Sequence, residues 1–219
     1  MMKDEVELFI NYPAKIAAEL INDEIDLGLV PVAATLQLKE CHIVSDYCIG
    51  ATGDVASVCL FSDVPLQNIK KILLDYQSRT SVELLKILIK QHWKLNVIIE
   101  TAEEGYISQI KDTTAGLIIW DRALEQRKNF AYIYDLAGEW KEFTGMPFVF
   151  AAWVSNKELP QAFIDSFNKA NQFGLDHLDK VIKANPYAIY DLHKYYKENI
   201  SYLLDNDKRK GLETFLLKL

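Results

Sequence analysis

The sequence predicts an α/β protein with mainly parallel sheets covered by helices, ending in a helical tail. Three observations carry this. Short apolar runs alternate with amphipathic stretches as far as residue 154. Several of those runs are bounded by glycine or proline. Beyond Pro160 the apolar residues recur only at helical spacing. In such sheets a guest sits at the carboxyl ends of strands, beside helix N-termini, which favours a small anion in a cleft.

The elements follow in order. Residues 6–10 read as a short strand, and Asn11-Tyr12-Pro13 opens a helix in which Ile16, Ala17, Leu20 and Ile21 share a face. Residues 26–32 form a buried strand closed by Pro31, so the opening reads as a βαβ unit. Further strands are expected at 56–61, 69–74, 97–99, 117–119 and 148–154. A helix is marked by Val82, Leu85, Leu88 and Ile89, and a more polar helical stretch spans 103–111. Phe163, Ile164, Phe167, Ala170 and Phe173 lie on one helical face, which Leu178, Val181 and Ile182 continue. Two last helices are expected at 188–197 and 208–219.

Composition narrows the function. The 219 residues are 50% hydrophobic, enough for a sizeable core in one domain or two lobes. The net charge of −7, without a basic cluster, argues against nucleic acid or an anionic membrane as partner. Cys41, Cys48 and Cys59 are an odd set with no paired framework, which points to a reducing compartment. They match no zinc spacing, and His42, His92, His177 and His193 are scattered, so neither a metal nor a cofactor is expected. The bland reading is buried thiols and surface imidazoles. No apolar run reaches the ~20 residues of a membrane span. Met1-Met2-Lys3-Asp4-Glu5 has no apolar signal region, so the expected location is the cytoplasm.

The most informative segment is Asp75-Tyr-Gln-Ser-Arg-Thr-Ser-Val-Glu83, which joins a strand to an amphipathic helix. Ser78, Arg79, Thr80 and Ser81 cluster where a helix start offers orphan N–H groups and a positive dipole end to a carboxylate. Thr80 with Glu83 equally fits a capping box, which needs no ligand. Gly50-Ala-Thr-Gly53 is a glycine-punctuated turn, after which Ser57 faces a cleft or caps the turn. Asp121 follows a strand end, where it caps the next helix or meets a ligand. Thr144 and Gly145, ahead of Met146-Pro147-Phe148, belong to an ordinary loop or a pocket wall. No Ser-His-Asp order, phosphate-binding loop motif or dinucleotide fingerprint is present.

Taken together, these segments resemble the menaquinone-biosynthesis enzymes of the futalosine route. The matching stretches are Asp26-Leu-Gly-Leu-Val-Pro-Val, Gly53-Asp-Val-Ala-Ser-Val, Ser78-Arg-Thr-Ser, Asp121-Arg-Ala-Leu and Thr144-Gly-Met-Pro-Phe-Val-Phe-Ala. They run in family order, and Gly211-Leu-Glu-Thr-Phe fits the ending. The Ser-Arg-Thr-Ser and Thr-Gly-Met-Pro-Phe forms favour the chorismate dehydratase branch over the sister dihydroxynaphthoate synthase.

The resemblance implies a fold like type II periplasmic binding proteins. One lobe would comprise residues 1–62 and 152–219, the other 63–151, with crossovers at 56–62 and 148–154. The implied activity is that of a hydro-lyase, removing water from chorismate without a cofactor. The alternatives are a 1,4-dihydroxy-6-naphthoate synthase-like enzyme and a non-catalytic intracellular binding protein for a small carboxylate. A homodimer is left open. By position, Ser57 would be the catalytic hydrogen-bond donor or proton relay. Ser78, Arg79, Thr80 and Ser81 would hold a carboxylate, and Asp121, Thr144 and Gly145 would line the opposite wall.

Two departures from the family pattern stand out. The family opens with a strand and an asparagine-bearing turn that faces substrate, whereas Asn11-Tyr12-Pro13 aligns with a later helix start. A chain lacking that turn is expected to be impaired. Trp120 stands where the family usually carries glycine.

Overall fold

The structure, a computed structural model, describes residue 2 and residues 4–219. Met1 and Lys3, part of the segment read above for a leader, lie outside the described residues. The elements in chain order begin with α1 (Pro13–Ile21), β1 (Leu27–Pro31), β2 (His42–Ala51), β3 (Val58–Ser62), β4 (Lys71–Leu74) and α2 (Thr80–Ile87). Next come β5 (Ile98–Thr101), β6 (Thr114–Ile119), α3 (Asp121–Gln126), β7 (Tyr132–Asp135), α4 (Leu136–Thr144) and β8 (Phe148–Ser155). The tail holds α5 (Gln161–Asp176), α6 (Leu178–Ala184), α7 (Leu192–Lys194), β9 (Ser201–Leu203) and α8 (Asn206–Leu216).

Two sheets result, a four-stranded one ordered β1-β8-β2-β9 and a five-stranded one ordered β5-β4-β6-β3-β7. The expectation of mainly parallel sheets holds only in part. β4 pairs in parallel with β5 and β6, but β3 runs antiparallel to β6 and β7. Every pairing of the four-stranded sheet is antiparallel. Much of the difference comes from β2, which the apolar pattern does not reveal. Its pairing with β8 shifts register between Ile43 and Cys48 and again between Ile49 and Gly50. Such bulges break the alternation by which a strand is read.

All strands of the five-stranded sheet come from residues 58–135, and those of the other from 27–51 and 148–203. β3 and β8, the expected crossovers, each hydrogen-bond within one sheet only, and the chain changes sheets just before each of them. One hydrophobic core spans both sheets. Trp140 of α4, Phe148 of β8 and Phe215 of α8 meet edge to face at 5.0–6.1 Å. Burying each such ring contributes ~1.5–3 kcal/mol, and together they tie α4 and the tail to the four-stranded sheet.

Three expected elements are corrected. Residues 6–10 are not a strand, because no described strand pairs with them, so the opening is not a βαβ unit. Residues 103–111 supply only a single 3₁₀ turn, Tyr106–Gln109, because Gly105 takes a left-handed φ of +84° at its start. The helical tail is interrupted by β9, and the helix expected at 188–197 is α7 running on into a π-helical turn, Tyr195–Asn199. Among the described residues no helix is long and apolar enough to cross a membrane. All three cysteines are free, but Cys41 is exposed rather than buried.

Candidate functional site

Where the two sheets meet, a cavity of about 160 Å³ gathers Ser57, Ser78, Arg79, Thr80 and Ser81, five of the eight residues singled out above. Each arrives for a local reason. β4 ends at Leu74 and hands over to Asp75, whose Oδ1 accepts from the Gln77 N–H at 2.8 Å and turns the chain towards α2. Asp75 is buried, and its Oδ2 takes the Arg122 guanidinium and the Tyr106 hydroxyl, each at 2.8 Å. Arg122 also donates to the Gln77 side chain at 2.9 Å. The loop ahead of α2 is thus pinned at both ends by ion pair and hydrogen bond.

The helix start is capped differently from the capping-box reading. Ser78 Oγ accepts from the Ser81 N–H at 3.2 Å, while Glu83 pairs with Lys86 at 2.8 Å. Thr80 Oγ1 accepts from the Ala33 N–H at 3.2 Å, and Arg79 donates to Gln37 at 3.3 Å. Both partners sit on the 3₁₀ turn Val32–Gln37 after β1, so the helix start is docked against the opposite sheet. The first backbone bond of α2 runs from the Glu83 N–H to the Arg79 carbonyl. The N–H groups before it are the orphan donors of any helix start, and Ser78 takes one of them.

Ser57 lies buried between two strained residues. Ala56 has φ +65°, and its N–H, with that of Val55, is held by the Asp135 carboxylate at 2.7 and 3.0 Å. Burial pushes the Asp135 carboxyl up, and these amides offset part of that. Trp120, whose N–H donates to the Ser57 carbonyl at 2.7 Å, has φ 60° and ψ −144°. That region is nearly glycine-only and costs about 1–3 kcal/mol for another residue. Strain of this kind collects at functional sites, and here two instances flank one serine.

The other three residues are placed elsewhere. Asp121 is the first residue of α3, exposed, with no side-chain cap bond. Thr144 and Gly145 close α4: Thr144 Oγ1 donates to the Trp140 carbonyl at 2.8 Å, and Gly145 is the left-handed cap at φ +74°. None of the three lines the cavity. Conversely, the sequence reading missed Tyr195, whose hydroxyl donates to Ser57 Oγ at 2.9 Å and which shares the cavity wall. It also missed Arg122 as the clamp on the loop. Tyr195 carries no sequence signal, because it comes from the tail, far along the chain.

Two other places invite comparison. A larger space of about 400 Å³ between the four-stranded sheet and α5 is lined mainly by apolar groups such as Leu29, Trp153 and Phe167, with Tyr47, Asn171 and Tyr202 among them. His92, Glu139 and Glu142 bring ligand atoms within 4.8 Å of one another. His92 Nε2 lies 3.3 Å from Glu139 Oε2, which also accepts from the Trp93 indole N–H at 2.8 Å, so these contacts account for the proximity of His92 and Glu139.

Two helix-covered sheets joined at a cavity, with a helix N-terminus and hydroxyls on its wall, define an α/β protein of two-sheet architecture. Solved structures agree on the fold. A crystal structure of an Archaeoglobus fulgidus protein aligns with a TM-score of 0.71 and 15% identity, covering 98% of this chain and 85% of that one. The periplasmic aliphatic sulphonate binding protein of Escherichia coli aligns at 0.51 and 13%, covering 93% and 77%.

The profile of the menaquinone biosynthesis family matches residues 1–219, and the chain belongs to that family. A relative from Thermus thermophilus, described as chorismate dehydratase, is 27% identical over 227 aligned positions, 93% of this chain and 83% of the relative.

Proposed function

We propose that the chain is a chorismate dehydratase, converting chorismate to 3-[(1-carboxyvinyl)oxy]benzoate and water in the cleft between the sheets. The observation that carries this reading is the convergence of Ser57 with the start of α2 in one cavity, in a chain whose relative bears that name. Elimination breaks the ring C3–H and C4–O bonds and creates an aromatic ring, so the overall step runs downhill. It is redox-neutral, and the proposal includes no cofactor. The protein has to bind two carboxylates, orient the ring and assist the departing hydroxyl. The α2 start, with its orphan N–H groups, Ser78, Arg79 and the hydroxyls of Thr80 and Ser81, takes one carboxylate. Ser57, at the opposite wall, donates a hydrogen bond to the leaving hydroxyl.

Incubating the chain with chorismate and following ultraviolet absorbance and mass tests this, the expected product being lighter by one water. An unchanged substrate would sink the assignment. Consumption of cyclic dehypoxanthinyl futalosine in its place would assign the chain to the sister synthase. Ser57→Ala should lower turnover at least tenfold with little loss of thermal stability. Unchanged turnover would leave Ser57 as a structural residue only.

A further inference from the structure

Tyr195 sits at the start of the π-helical turn Tyr195–Asn199, an insertion type often found at functional sites. That turn is tied to the segment crossing between the sheets at two points. Tyr195 Oη donates to Ser57 Oγ at 2.9 Å, and Asn199 Nδ2 donates to the Asp54 carbonyl at 3.0 Å. Tyr190 Oη in turn steadies Asn199 at 3.1 Å. The Tyr195 ring is packed edge-on against Tyr190 and Tyr196. The phenol is therefore fixed from both sides before it meets Ser57.

A serine hydroxyl has one proton to donate and lone pairs to accept with. With Tyr195 as the donor, one lone pair of Ser57 is engaged and the serine keeps its own proton, for which the described residues offer no acceptor other than the Tyr195 oxygen itself. Ser57 is only 2% exposed, so bulk water is a poor substitute. The acceptor left is whatever occupies the cavity that both residues line. Burial pushes the Tyr195 phenol up to about 12, so it stays protonated, and hence a donor, throughout the neutral range.

We infer that Tyr195 is a positioning residue that polarises Ser57, holding its hydroxyl as a donor aimed at the cleft guest. This rests on the dehydratase reading, in which the guest's departing hydroxyl needs a donor. Without Tyr195 the serine is free to rotate and to accept rather than give.

The test is a double-mutant cycle on chorismate turnover with the full chain. Tyr195→Phe keeps the ring contacts and deletes one hydroxyl. Its kcat should fall about tenfold to a hundredfold, the worth of one well-placed hydrogen bond in a transition state, with KM shifted less than about threefold. In the Ser57→Ala background the same change should cost nothing further, because its target is gone. A purely structural tyrosine would lower the melting temperature and lose the same factor in both backgrounds, and that additivity would overturn the inference. So would a Tyr195→Phe rate within twofold of wild type. If the wild-type chain leaves chorismate untouched, the dehydratase reading fails and this inference with it. If the wild type turns over and the cycle is additive, only the role of Tyr195 falls. Tyr195→His, which can donate through its ring N–H, should recover part of the rate that phenylalanine loses; recovery of none would count against the inference.

Discussion

Trp120 and Arg122 stand two residues apart and shape the same wall by opposite means. Trp120 holds a backbone conformation suited to glycine while placing a 37% exposed indole on the cavity. Trp120→Gly relieves about 1–3 kcal/mol of strain but returns about 1 kcal/mol in chain entropy. Some packing is lost as well, so net stability should change by less than about 1 kcal/mol. Guest affinity, read by calorimetry, should fall as the cleft widens. Unchanged affinity would show that the indole forms no part of the binding surface. Arg122→Ala leaves the buried Asp75 carboxylate with neutral donors only. It should cost about 2 kcal/mol in denaturant unfolding, below the figure for fully buried pairs because the Arg122 side chain is 28% exposed. The loss should also loosen residues 76–79 and raise KM more than it lowers kcat. A stability unchanged by Arg122→Ala would mean that the clamp is dispensable.

At the scale of elements, residues 6–10 carry the clearest liability. Leu8, Phe9 and Ile10 are 76%, 57% and 89% exposed, and β1 pairs with β8 on one side only among the described residues. An exposed apolar segment and an unpaired sheet edge are each an invitation to self-association. Leu8→Lys with Ile10→Lys should lower the associated fraction in light scattering, at a stability change within about 0.5 kcal/mol. Equal association would place the contact elsewhere. The same segment shows what a pattern can and cannot reveal. Its apolar content reads as a strand, but a strand exists only where a partner supplies the other half of the ladder. Where the partner was implicit in burial, the reading succeeded: the runs at 26–32, 69–74 and 148–154 correspond to β1, β4 and β8. β2 stayed hidden behind its bulges, and β7 is a four-residue edge strand too short for periodicity to show. The site divides likewise. Residues 78–81 were legible because strand-to-helix chemistry is local. Tyr195 was not, since its meeting with Ser57 is made by the tertiary fold alone.

For the whole molecule, the distribution of buried phenols sets the response to pH. Burial raises Tyr106, Tyr195 and Tyr202 above the ordinary value of 10.0, Tyr195 to about 12. In the unfolded chain these groups lose their protons near pH 10; in the folded chain they keep them. Below pH 10 both states hold the proton and the groups cost nothing. Between pH 10 and 12 only the unfolded state gains by releasing it, so stability falls as pH rises. Tyr195 alone accounts for roughly 2 kcal/mol across that window, allowing for the cleft at its edge. Carboxylates act on the acid side in opposing senses. Asp205 is held low by the Lys208 N–H and contributes stability above its unfolded value of 3.8, lost as pH falls through its lower folded value. Asp135, raised by burial, gives up stability as pH rises through its own folded value. Their effects partly cancel, while the tyrosines share one sign. The melting temperature should therefore stay flat from about pH 6 to 9 and drop above 10. Absorbance at about 295 nm would then report two classes of the 11 tyrosines, exposed ones titrating near the usual value and buried ones ionising only as the circular dichroism signal collapses. A single smooth titration centred near pH 10 with the fold intact would contradict the buried placement of Tyr106 and the partly buried placement of Tyr195 and Tyr202.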